Sequence, residues 1–299
     1  MRTPRNVIAI ISARRRPIRH GLTLAGLMVG VVMALSLGGR PIDAHAYFAA
    51  SPADPYNNAA VYREGAFLYS PAFLQVVHPL TVIGWPDFLL VWRLAIVFVV
   101  VALAGPFALP VLFFEPVLIE LNTGNIHAFM ALVIVAGFRW PAAWAFMLLT
   151  KVTPGVGLLW FAVRREWRHL ALALGALAAI TVVSFALAPN LWFGWVGVLT
   201  SSANTGQTAG GALGVPLPLR LVIAALIVVW GARSNRRWVM PVAILIALPV
   251  LYPHAPTVLL AMIPLLALPT PAALRAARVS VQQLPVRWLH RGVPRPTSS

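Results

Sequence analysis

The sequence predicts an all-α, polytopic integral membrane protein with about ten transmembrane helices. Three observations predict it. Hydrophobic residues make up 60% of the chain and charged residues 10%, against roughly 25% charged in a soluble domain. The apolar residues run in continuous stretches with no alternation at period two, which selects helices over a barrel. The arginines gather in short clusters beside those stretches, the pattern that the positive-inside rule leaves.

Residues 1–21 form a basic tail that carries Arg2, Arg5, Arg14, Arg15, Arg16 and Arg19 without an acid. The first apolar run is Leu22 to Leu37, expected as an uncleaved first span. A short apolar run after a basic stretch, followed by Ala44-His45-Ala46, also fits a cleavable signal peptide. Further apolar runs lie at about 71–84, 88–105, 106–121, 125–138, 141–162, 169–188, 215–231, 238–252 and 257–269. Several are shorter than the roughly 20 residues of a full span, and their prolines favour tilted, broken or re-entrant segments. One membrane domain is expected over 22–269, with a basic tail over 270–299 that anionic lipid would attract.

Loop charges set the expected orientation. With ten spans and the N-terminus inside, seventeen of the 23 basic residues fall on the cytoplasmic side, including Arg164, Arg165, Arg168, Arg233, Arg236 and Arg237. Both termini are then cytoplasmic in a multi-pass protein of the bacterial plasma membrane. The loop 38–71, the loop 189–214 and the turn Tyr252-Pro253-His254 face the extracytoplasmic side. The net charge of +16 is accounted for by this topology, so nucleic acid is not an expected partner. Without cysteine there is no disulfide framework and no thiolate chemistry. There is no P-loop, nucleotide fingerprint or HExxH pair, and no acidic pair for a nucleotide-sugar metal. No metal and no cofactor are expected, and a sugar donor is expected to be lipid-linked.

Charged and polar residues inside this apolar chain are the candidates for chemistry. The loop 38–71 holds Asp43, Asp54 and Glu64, three of only seven acids. Concentrated carboxylates suggest a wet working site, although a solvated loop has the same composition. Lys151 is the only lysine, and it lies in the middle of an apolar run where a charge costs roughly 2.5–3.5 kcal/mol. Either it acts in the site or it pairs with Glu115 or Glu120. Pro154 is expected to loosen the helix beside it. Arg93 is expected to snorkel to the cytoplasmic side. His254 lies between two prolines at an outer boundary, where an imidazolium could neutralise phosphate. The stretch 200–214 is rich in glycine, hydroxyls and amides that could meet sugars or phosphates.

In their order, these motifs resemble glycosyltransferase family 87. They are Asp43 followed by Tyr47, Leu68-Tyr69-Ser70-Pro71, Gly124-Asn125-Ile126-His127, Lys151-Val152-Thr153-Pro154 with Arg164-Arg165-Glu166-Trp167-Arg168, the loop Asn204 to Thr208, and Pro253-His254. The Gly124 motif departs from the family pattern at two positions, and Ala255 stands where an aromatic or histidine is frequent. The resemblance covers most of residues 40–268. It implies a GT-C-like fold and an inverting transfer of a hexose, mannose in the family, from a polyprenyl-phosphate donor to a lipid or glycan acceptor. It implies Asp43 as general base, with Lys151, His254, Arg40 and Arg63 near the leaving phosphate. His45, Tyr47, Tyr69, Asn125, His127, Asn204, Gln207 and Thr208 would then meet the substrates. A phosphate leaves as a stable anion, so one carboxylate suffices, unlike the pair of a glycosidase. A transporter or flippase of a lipid-linked sugar, and an inactive paralogue, are the alternatives that the residues leave open.

Overall fold

The computed structural model describes residues 4–57, 59–60, 63–204 and 214–267, and their side chains except those of 4–16 and 202–204. Every regular element among them is a helix. In chain order they are α1 (Pro4–Ser36), α2 (Ile42–Ala49), α3 (Pro71–Val77), α4 (Trp85–Ala104), α5 (Ala108–Leu112), α6 (Glu115–Thr123) and α7 (His127–Gly137). There follow α8 (Trp144–Thr150), α9 (Leu159–Val163), α10 (Trp167–Leu187), α11 (Pro189–Asn204), α12 (Leu217–Ser234), α13 (Met240–Ala247) and α14 (Met262–Ala267). Short 3₁₀ turns join many of them.

Four segments of the described residues are long and apolar enough to cross a membrane: Pro17–Ser36, Trp85–Leu112, Trp167–Leu187 and Leu217–Ser234. The pair α6 and α7, bent by 111°, makes a fifth if counted as one span. The other apolar helices are only 10–17 residues long, so ten full spans are not shown. Lys151 explains one of the short pieces. The run 141–162 reads as a single segment, but Lys151 adopts extended backbone (φ −144°, ψ 114°) and caps α8. Pro154 then opens a 3₁₀ turn over Thr153–Leu158 before α9. The long loop 38–71 also holds an unexpected helix, α2, whose Ala44, Ala46 and Tyr47 are buried.

The short helices run between two poles. At one pole Gly124 meets Ala44, Lys151 meets His127, and His254 meets Asp43. At the other, Phe138 packs on Trp160 with ring centroids 5.2 Å apart, and Arg164 Nη1 donates to the Ala232 carbonyl at 3.0 Å. The eleven residues of α7 join these poles and span about 16 Å, half of a ~30 Å hydrocarbon core. Such helices are shorter than a full span, and their broken ends build the first pole. On α4, Trp92 donates to the Gly124 carbonyl at 2.8 Å and marks the same level, about 10 Å along the helix from Trp85. Between the poles lies a continuous core that includes Ile96, Val100, Leu112, Ile134 and Ile244.

Ends that stop in an apolar layer leave carbonyls without water, and two buried arginines meet some of them. Arg93 is 5% exposed and donates from Nε to Leu121 O (3.1 Å) and from Nη1 to Leu37 O (2.8 Å). It does not snorkel, because these carbonyls hold its guanidinium buried beside the first pole. Arg220 is 1% exposed and donates to the carbonyls of Val215, Ile246, Leu248 and Pro249. It thereby ties the start of α12 to the segment that follows α13.

Candidate active site

A cavity of about 510 Å³ opens among these broken ends. Asp43, Asn125, Lys151 and His254 line its polar side, with Tyr47 and Tyr69 beside them. Trp195, Val198, Leu199, Leu217 and Val250 line an apolar side. Arg63 and Glu64 also reach it.

Each polar residue is delivered by a local break. Pro41 leads into α2, so Asp43 sits in its first turn, where a carboxylate favours the positive helix end. The carboxyl is only 26% exposed. Burial pushes it above the usual carboxylate range; the Asn125 and Thr123 side chains and then Lys151 pull the other way. Gly124 ends α6 in the left-handed region (φ 74°) and its N–H returns to Glu120 O at 2.8 Å. An added Cβ there would lie 2.6 Å from Ala44 Cβ, so glycine serves both the turn and the approach of α2. The elbow that follows presents Asn125 to the cavity, and its Oδ1 also accepts from Ile126 N–H at 2.8 Å. Ser70 caps α3 and Pro71 starts it, which fixes the chain just after Tyr69. The hydroxyls of Tyr47 and Tyr69 are 3.0 Å apart, and Tyr56 donates to Tyr69 O at 2.8 Å.

Behind the cavity runs a buried chain of three residues. Lys151 Nζ lies 3.1 Å from His127 Nε2, and His127 Nδ1 lies 3.1 Å from Glu120 Oε2. The other Glu120 oxygen accepts from Ala128 N–H at 3.0 Å. Glu120 and His127 are fully buried. An ammonium only donates, so His127 Nε2 accepts and Nδ1–H donates to Glu120. The structure thus decides between the two carboxylates that the sequence offered to Lys151. Glu120 is the partner, through an imidazole, while Glu115 is elsewhere at the solvent-exposed start of α6. The sequence offered Glu120 only as one of two pairing partners for Lys151, on the signal of an acid in an apolar run.

His254 stands over this chain, its ring 5.0 Å from that of His127 and stacked on Tyr252 at 5.4 Å. Its Nε2 is 4.0 Å from Asp43 Oδ2, and both atoms are sealed from water without a hydrogen-bond partner. Donor atoms of Glu120, His127 and His254 lie within 4.8 Å of one another, a spacing that a cation could bridge. The Lys151 ammonium already occupies the free nitrogen of His127, and a second cation there would meet its repulsion.

The remaining predicted residues are dispersed. Arg40 is on the surface, where its Nη2 donates to both Glu64 oxygens at 2.9 Å, so it neutralises that acid and is not among the cavity-lining residues. His45 is exposed and meets Trp85 edge-on, with ring centroids 5.0 Å apart, also outside the cavity. Asn204 ends α11, and its side chain lies outside the described set; Gln207 and Thr208 lie outside the described residues.

A helical protein with membrane-length apolar helices and a carboxylate, a lysine and a histidine facing one internal cavity has the parts for group transfer. The model of glycosyltransferase family 87 matches residues 67–252, well over half of the chain, and the chain belongs to that family. Family membership implies a sugar donor and an acceptor. The match takes in Tyr69, Glu120, Asn125, His127 and Lys151, whereas Asp43 lies 24 residues before its start and His254 two residues past its end. No curated protein and no solved structure matches the chain.

Proposed function

We propose that the chain transfers a hexose, mannose by family resemblance, from a polyprenyl-phosphate donor to a lipid or glycan acceptor, with inversion. The observation that carries this is the cavity itself: one recessed carboxylate, Asp43, and one lysine, Lys151, line it together with apolar side chains. In this reading the Asp43 carboxylate accepts the proton of the acceptor hydroxyl as that oxygen attacks the anomeric carbon. The bond from the anomeric carbon to the phosphate oxygen breaks, and the lipid phosphate leaves with the electron pair. Developing negative charge on phosphate is favoured by Lys151, whose charge Glu120 and His127 help to hold in place, and by the His254 N–H. Arg63 stands at the cavity for the same anion. The Tyr47 and Tyr69 rings and Asn125 face the sugar, and the apolar side receives the first isoprene units.

The domain of 22–269 carries this reaction, and the tails 1–21 and 270–299 lie on the cytoplasmic surface. The cavity faces the extracytoplasmic side, and the short helices are the remainder of the ten apolar segments, several of them reaching only part way across. Reporters fused after Arg168 and after Arg237 should read cytoplasmic, and one at Asn204 should read extracytoplasmic. Asn204 in the cytoplasm would sink the mechanism.

The direct test reconstitutes purified protein in lipid with labelled polyprenyl-phosphate mannose and candidate acceptors. The expected result is a new glycoside of inverted configuration. Broken helices around charges at mid-depth also suit a transporter of a lipid-linked sugar. Movement of intact labelled donor across sealed vesicles, without any glycoside, would favour that function and overturn the enzyme.

A further inference from the structure

The pole opposite the cavity has a composition of its own. Three short loops far apart in the sequence meet there. They are 138–141, 163–169 and 231–238, joined by Arg164 on the Ala232 carbonyl and by the Arg237 guanidinium over the Phe138 ring at 5.0 Å. Together they carry seven arginines and a single acid, Glu166. Glu166 is already held by Arg164 at 2.7 Å and faces His169 at 3.3 Å.

Orientation bias needs only the number of such charges, not their arrangement. The arrangement here is ordered. Arg139 lies over Trp140, Arg164 over Trp160, Arg236 over Trp230 and Arg237 over Phe138, at 5.0–5.6 Å from ring centroids. A guanidinium laid on a ring keeps its N–H edge free, and that fork matches two oxygens of a phosphate. Arg164 gives its N–H groups to Glu166 and Ala232. By contrast, Arg165, Arg168 and Arg236 are exposed, and the half-buried Arg237 has an Nε without a hydrogen-bond partner. Trp140, Trp167 and Trp230 are 49–61% exposed, as rings are where headgroups meet acyl chains. From these loops rise apolar helix faces: Leu172 and Leu174 on α10 and Leu226 on α12 are also exposed.

We infer that this pole is a binding surface for anionic phospholipid, in which the Arg165, Arg168, Arg236 and Arg237 forks hold the headgroup phosphate and the α10 and α12 faces hold the acyl chains. The surface is independent of the sugar-transfer reading, since none of its residues touches the cavity.

Native mass spectrometry of the full-length protein tests it, with phosphatidylglycerol and phosphatidylcholine of matched chains as probes. The apparent affinity for phosphatidylglycerol should be about tenfold or more the higher. In Arg165→Gln/Arg168→Gln/Arg236→Gln/Arg237→Gln the preference should fall to about twofold or less. The same four changes to Lys keep the charge and lose the fork, and should fall between. Full-length protein with Arg275, Arg278, Arg287, Arg291 and Arg295 changed to Gln should keep the preference, because the tail is not the site. Gel filtration in detergent checks that each variant is folded. If the Gln variant fails there, the Lys variant decides. Equal binding of the two lipids by the unchanged protein overturns the inference. So does a preference that follows the tail and not the loops, or displacement of phosphatidylglycerol by equimolar inorganic phosphate.

Discussion

The two poles of this molecule hold nearly all of its described charge and use it in opposite ways. At the cavity pole, Glu120 and His127 are fully buried, and the polar atoms of these two side chains are each held by a neighbour. At the basic pole the arginines are mostly exposed and rest on aromatic rings. Removing a charge from the first pole strands its partner in a medium that solvates it poorly; removing one from the second lets water replace it. Arg93 and Arg220 show that the surroundings decide this and not the residue type. Both are arginines, yet both belong to the buried set, because each saturates carbonyls left by broken helices.

The largest expected effect is Asp43→Asn. It keeps the shape of the side chain and removes the base, so turnover should fall by roughly 10² or more while donor affinity changes little. Asp54→Asn and Glu64→Gln, outside the buried set, should be milder. Rate against pH sharpens the same point. A base must be deprotonated, and burial raises the Asp43 carboxyl. Activity should therefore be lost as pH falls through a midpoint above the usual carboxylate range, and Asp43→Asn should remove that limb. N-terminal sequencing belongs beside this assay, since a mature chain starting at Tyr47 would lack Asp43. Full activity in Asp43→Asn would show that the base is another residue.

Lys151→Met comes next. It leaves Glu120 without the ammonium that balances it, and breaking a buried pair costs roughly 3–5 kcal/mol. Lys151→Met/Glu120→Gln should recover most of that stability, read from thermal unfolding in detergent. Donor affinity should stay low in the double variant, because the cation at the phosphate is still missing. Recovery of both would assign Lys151 to structure alone.

Gly124→Ala tests whether the pole depends on the elbow. The positive φ and the nearby Ala44 Cβ both oppose a methyl group, with a cost of about 1–2 kcal/mol or more. Turnover should fall further than stability, because the displaced α2 carries Asp43. Unchanged turnover in a destabilised protein would separate the elbow from the chemistry.

The smallest effect belongs to the basic pole. Arg165→Gln is exposed and should change stability by less than about 0.5 kcal/mol, with transfer in neutral lipid unchanged. A loss comparable with that of Lys151→Met would erase the distinction between the two poles.

By itself, the sequence determined the class of protein. Hydropathy and sparse charge require helices in a membrane, and that reading needs no contacts, because lipid imposes the same demand on every segment. It also made three residues conspicuous, Lys151 as a charge in an apolar run, Asp43 as one of three acids in a polar loop and His254 as a histidine between prolines, and the structure brings them to one cavity. What it could not supply was which residues meet. Glu115 and Glu120 are equal candidates on paper, and only the 111° bend between α6 and α7 puts Glu120 behind His127 and Lys151. Arg93 reads as a snorkelling cation until the carbonyls of Leu37 and Leu121 are placed beside it. Segment lengths reported ten apolar runs, yet only tertiary structure shows that several are helices too short for a full span, and that broken ends among them form the cavity. Burial preference is a property of each residue and can be read in one dimension. The pairing of hydrogen-bond donors with acceptors from distant segments is fixed only when the helices pack, because in an apolar layer no water is present to satisfy them otherwise.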